Sequence, residues 1–161
     1  MQHWPWYLLI ESFIGLEGVR GDLTTRSWAI RSRILQWTGI PCGVGIGTTK
    51  TLAKLANHIA KTADRKPGSY PRSMATVCNL AVLPTSDLDA LMTATEVGEA
   101  WGVGRRIGKQ LQEAGVNTVL DLARLSPAMV RSRWGVVLER TVRELQGQPC
   151  IELEEAPPAK Q

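Results

Sequence analysis

A chain of 161 residues that is 43% hydrophobic and 21% charged has the composition of a folded protein, not of a disordered one. No apolar run approaches the roughly 20 residues needed to cross a bilayer, and the opening residues lack the pattern of a signal peptide. The net charge is +4, and Cys42, Cys78 and Cys150 are too few and too scattered for a disulfide framework or a zinc site, which points to a reduced, cytoplasmic compartment.

The charge is unevenly spread. Residues 101–147 hold eight Arg and Lys against four acids, while the tail from Cys150 turns acidic with Glu152, Glu154 and Glu155. An Arg-rich segment is suited to phosphate contacts, although a solvated helical surface has the same composition.

Residues 7–16, YLLIESFIGL, form a short apolar run bounded by glycine and read as a buried strand. Glu11 interrupts it. A carboxylate there faces solvent at a strand end, is paired, or holds a metal. Asp22 caps a helix from about Leu23 to Trp37, with Leu23, Ile30, Ile34 and Trp37 as its apolar stripe, and Gly39 and Pro41 stop it. Val44 and Ile46 alternate with glycines as in a short strand that another backbone or a ligand approaches closely.

A helix follows from Thr48. Leu52, Leu55, Ala56 and Ile59 make its core face, and Lys50, Lys54, His58 and Lys61 make a basic stripe on another face. A turn-rich loop then leads to a second strand in residues 74–80, MATVCNL, so strand, helix and strand form a βαβ unit.

Beyond Pro84 the texture changes to four or five short helices. Ser86 caps the first. Gly102 and Gly104 make a tight turn before the second, which Gly115 ends. Thr118 and Asp121 form a capping box, Ser126-Pro127 starts another helix, and Gly135 separates it from the last, which Leu138, Val142 and Leu145 line.

The turn Gly102-Val103-Gly104, with Arg105, Arg106 and Lys109 after it, is the most informative local pattern. Free N–H groups at a helix start carry a positive dipole end, and nearby guanidinium and ammonium groups add charge-assisted contacts to phosphate oxygens. Read so, it is a helix–hairpin–helix grip on nucleic-acid backbone; a plain packing turn is the alternative. The stretch GVGIGTTKTL, residues 43–52, fails as a phosphate loop because Thr49, not glycine, precedes Lys50, and it fails as a dinucleotide fingerprint by spacing. An NTPase is therefore excluded, although Lys50 at the helix start still presents an ammonium to phosphate. His3 and His58 have no companions at metal-ligand spacing.

In this order, GVGIGTTKTLAKLANHIAK, WGVGRRIGKQL, TVLDLA, VVLERTVRELQGQPC and the closing LEE-PP-KQ resemble the Y-family translesion DNA polymerases of the UmuC type, from about Tyr7 to Gln161. The resemblance implies an α+β fold: part of a ferredoxin-like palm in residues 1–82 and an all-helical thumb with a helix–hairpin–helix in residues 83–147. Residues 148–161 would be a linker toward a little-finger domain, so the chain reads as a middle fragment. The implied role is error-prone synthesis across damaged DNA in SOS repair and mutagenesis.

The family's chemistry is nucleotidyl transfer on two Mg²⁺ ions held by carboxylates. Its palm motif Ser-Ile-Asp-Glu matches here at Glu11, followed by Ser12 and Phe13, but Ile10 stands where the metal-binding aspartate belongs. Glu11 is thus the one family carboxylate retained, as catalytic and metal residue, and one carboxylate cannot hold two Mg²⁺ ions. Lys50 matches the lysine that meets the incoming triphosphate, and residues 102–109 match the thumb hairpin on duplex DNA. Primer–template DNA is the implied partner, with a UmuD-type subunit, a recombinase filament or a sliding clamp as family partners. The expectation is weak duplex binding without polymerase activity; the alternative is a non-catalytic hairpin module that modulates an intact polymerase.

Overall fold

The structure, a computed structural model, describes residues 11–152. The run from Tyr7 to Leu16 is not a strand where it is described: residues 11–16 are irregular and mostly exposed, and residues 7–10 lie outside the described residues. An extended segment becomes a strand only by finding a ladder partner. Among the described residues the two strands here pair with each other.

Helix α1 spans Leu23–Thr38. Asp22 caps it by accepting from the Thr24 N–H at 3.0 Å and the Thr25 hydroxyl at 2.7 Å. Gly39 ends it with a φ of 72°, a left-handed turn that suits glycine, and its N–H donates to Leu35. The apolar stripe exists but is not buried. Ile30 is 50% exposed and Trp37 74%, and Ser27 is the helix's one buried residue.

Strand β1 (Val44–Ile46) and strand β2 (Val77–Asn79) are parallel, with Val44 opposite Val77 and Ile46 opposite Asn79. Helix α2 (Lys50–Arg65) is the crossover, which completes the βαβ unit. It starts two residues after Thr48 because the Thr49 hydroxyl caps it, accepting from the Leu52 N–H at 3.2 Å. Gly45 in β1 and Gly47 just past its end let the chain lie directly on the helix. A Cβ on Gly45 would sit 2.2 Å from the Asn57 nitrogen, and one on Gly47 would sit 2.5 Å from that of Ala53.

Five further helices follow: α3 (Thr85–Thr93), α4 (Arg105–Glu113), α5 (Val119–Ala123), α6 (Pro127–Trp134) and α7 (Val136–Leu145). Ser86 does not cap α3. The cap position is Pro84, and Ser86 lies inside the first turn. Proline already presets the backbone for helix entry, so the helix starts at Thr85, two residues earlier than a Ser86 cap would allow. The Thr118–Asp121 capping box is complete, Pro127 occupies the first turn of α6, and Gly135 divides α6 from α7.

The buried side chains form one continuous cluster, not two. Leu52, Leu55 and Ile59 of α2 join Leu91, Val97, Leu111, Leu122, Leu138 and Val142 of the helical part. Helix α2 is thus a wall of both the strand pair and the helical bundle.

Candidate nucleic-acid interface

The turn that leads into α4 is built from local rules. Val97 donates to the Asn117 carbonyl at 2.9 Å and Val119 to the Thr95 carbonyl at 2.9 Å, which stitches the segment before the turn to the entry of α5. Gly102 has a φ of 87°, and a Cβ there would fall 2.7 Å from the Thr141 hydroxyl oxygen, so both backbone and space call for glycine. That hydroxyl donates to the Trp101 carbonyl at 3.0 Å and pins the turn to α7.

Gly104 is the cap residue of α4 and provides no side chain to its first turn. The N–H groups at the start of α4 therefore face outward unfilled by a side-chain cap. Gly108 and Leu111 bury one face of the helix, while Arg105, Arg106 and Lys109 are exposed on the other. Among the described residues none of these three forms an ion pair, whereas Arg124, Arg131 and Arg143 are tied to Asp89 or Glu139. Val103 is half-buried. The arrangement gives a fixed helix N-terminus flanked by three free cations, suited to a phosphodiester backbone and not to base edges.

Glu11 and Lys50 lie elsewhere. The Glu11 carboxylate is ion-paired with Lys54 and with Lys61, the latter at 3.3 Å, and accepts from the Asn57 amide at 3.3 Å. Burial and then the charge of Lys61 push the Lys54 ammonium below its ordinary value; burial and then Arg65 do the same to Lys61. These lysines line a cleft of about 900 Å³ between α2 and the turn before α4, with His58, Glu99 and Trp101 on its walls. The Phe13 ring lies 5.6 Å from that of Trp101, and the Lys50 ammonium sits 5.2 Å from the Phe13 centroid. The fold thus gathers the Glu11–Phe13 segment, one face of α2 from Lys50 to Lys61, and Trp101.

Lys50 donates to the Glu152 carbonyl. The N–H of Thr51, next in the helix, is already taken by the Glu144 carboxylate at 2.9 Å. Sequence reasoning missed Glu144. In the sequence it is only a charged residue beside the apolar stripe of α7, three positions before Gly147, and nothing local marks its partners.

The side chains among the described residues do not fit a pair of Mg²⁺ ions. Glu11 is surrounded by two ammonium groups, and among the described residues no three carboxylate, imidazole or thiol side chains converge. Ile10, outside the described residues, has a hydrocarbon side chain with no ligand atom.

Residues 10–58 match the impB/mucB/samB family. The chain is 46% identical over 160 residues to "Protein UmuC" of Salmonella typhimurium strain LT2, covering 96% of this chain and 35% of that protein. It is 43% identical over 161 residues to "Protein MucB" of Escherichia coli, covering 99% and 36% respectively. It is also 34% identical over 106 residues to "DNA polymerase IV 2" of Mycobacterium tuberculosis strain H37Rv, covering 66% and 26%. The chain spans about a third of the length of the UmuC and MucB relatives it matches. No helix among the described residues is long and apolar enough to cross a membrane. With the helical bundle, the βαβ unit and these matches in hand, the chain belongs to the UmuC-type Y-family DNA polymerases.

Proposed function

We propose that the chain is the palm-to-thumb portion of a translesion DNA polymerase and that it holds primer–template duplex by its backbone through residues 102–109. Exposure of Arg105, Arg106 and Lys109, without acidic partners among the described residues and beside the uncapped start of α4, carries this reading. The hairpin acts as a helix–hairpin–helix: glycines bring main chain close to phosphate, and the three cations neutralise it. Lys50 is proposed to meet the triphosphate of an incoming nucleotide, in place of its contact to the Glu152 carbonyl. An accessory UmuD-type subunit, a recombinase filament and a sliding clamp are proposed partners of the longer relatives' architecture, and DNA repair in the SOS response is its setting.

Fluorescence anisotropy of a labelled primer–template duplex tests the grip. Binding at low salt should weaken steeply as salt rises. Replacing Arg105, Arg106 and Lys109 by alanine should lower the slope of log affinity against log salt by about 3, one per lost phosphate contact. Binding unchanged in the triple variant would refute the assignment. The 161 residues alone should not extend a primer with Mg²⁺ or Mn²⁺ above a no-protein control, because Glu11 is committed to Lys54 and Lys61. Extension abolished by Glu11→Ala would overturn that statement. Duplex binding without extension is also the behaviour of a module that competes with an intact polymerase for primer ends.

A further inference from the structure

Glu144 is fully buried near the end of α7, and it has no cation partner among the described residues. A buried carboxylate in that state must be satisfied entirely by hydrogen bonds and oriented dipoles. It is. One oxygen accepts from the Thr51 N–H at 2.9 Å and the Thr51 hydroxyl at 2.8 Å. The other accepts from the N–H groups of Cys150 and Ile151 at 3.0 and 3.1 Å. The main chain of the same residue is used as well, its carbonyl accepting from the Thr49 hydroxyl at 2.9 Å.

These partners belong to three different pieces of chain. Thr49 and Thr51 open α2, the crossover helix of the βαβ unit. Glu144 closes the helical bundle. Cys150 and Ile151 belong to the segment that leaves it. The carboxylate sits at the N-terminal end of α2, where the helix dipole favours an anion, so the place a phosphate would take is filled from within the chain.

We propose that Glu144 is a latch that joins the crossover helix, the last thumb helix and the exit segment 150–152 into one joint, and so sets the direction in which the chain leaves the thumb. The carboxylate is needed as such. A glutamine has one accepting oxygen, and its NH₂ group would face donors on whichever side it turned. A packing role alone would be met by glutamine, which has nearly the same shape.

Amide hydrogen exchange on the full chain tests the latch. In Glu144→Gln, exchange at Thr51, Cys150 and Ile151 should accelerate about tenfold or more, while Leu122 in the bundle core stays unchanged. Uniform acceleration across all four amides, or none, would overturn the proposal. Thr51→Val supplies the second arm and decides alone if the glutamine variant does not fold. It removes one hydroxyl, yet exchange at Cys150 and Ile151, which Thr51 does not touch, should also rise. Effects confined to Thr51 and its helical neighbours would refute coupling through Glu144.

Discussion

Helices α1 and α2 are each 16 residues long, and they are used in opposite ways. Helix α2 buries seven residues and serves two layers at once. Helix α1 buries one, Ser27, and holds to the rest through a hydrogen bond from Arg31 to the Cys42 carbonyl at 3.3 Å and one from Asn79 to Thr24 at 3.1 Å. Both are clearly capped. The difference shows that end signals suffice to place a helix, while its stability comes from the face it buries. The mechanical division of the molecule therefore falls between α1 and everything after it, since the core runs without a break from α2 into helices α3–α7.

The sharpest way to break this contrast is to empty the two regions in turn. Leu122→Ala should cost about 2–5 kcal/mol in denaturant unfolding, because its side chain is wholly buried. Ile34→Ala should cost under about 0.5 kcal/mol, as expected for an exposed site. Equal costs would mean that α1 is packed after all. Thiol reactivity gives a second reading. Burial raises the Cys78 thiol to about 12, so it should resist a thiol reagent at neutral pH until the chain unfolds. Cys42, which is half-buried next to α1, should react in the folded protein.

Acid should distinguish the regions too. At Glu144 burial pushes the carboxyl up, but the N–H groups of Cys150 and Thr51, the Thr51 hydroxyl and the Ile151 N–H outweigh it, leaving the group below its ordinary 4.5. The folded chain thus binds this proton less tightly than the unfolded chain does. Its stabilisation is whole above about pH 4.5 and is lost as pH falls through the lower folded value. Glu144→Gln should flatten that part of the stability–pH curve. The smallest effects concern caps. Thr118→Ala should lower global stability by about 1 kcal/mol, whereas Asp22→Ala should fray α1, seen as lost helicity, without moving the main unfolding midpoint.

Much of this was legible in the residues. Asp22 and Gly39 bound α1, and Thr118 with Asp121 announce α5, because capping acts over three or four positions. Residues 102–109 stand out for the same reason, their glycines and cations being adjacent in the chain. Glu144 was not legible, since its Thr51 partner is 93 positions away and only the packed core brings them together. The exposure of Ile30 and Trp37 was equally hidden: an apolar stripe tells which face could be buried, not whether a partner stands opposite it.

The glycines at positions 45 and 47, in β1 and just past it, work as a spacing gauge. With hydrogen as the side chain at positions 45 and 47, strand and helix meet main chain to main chain, and any substituent would act as a wedge against the Asn57 and Ala53 nitrogens. Such a wedge would tilt α2, and α2 carries both the Lys54–Lys61 wall of the cleft and the Thr51 end of the joint with Glu144. Two missing methyl groups thereby calibrate parts of the molecule they never touch, and a glycine pattern that resembles a phosphate loop is the signature of that tolerance.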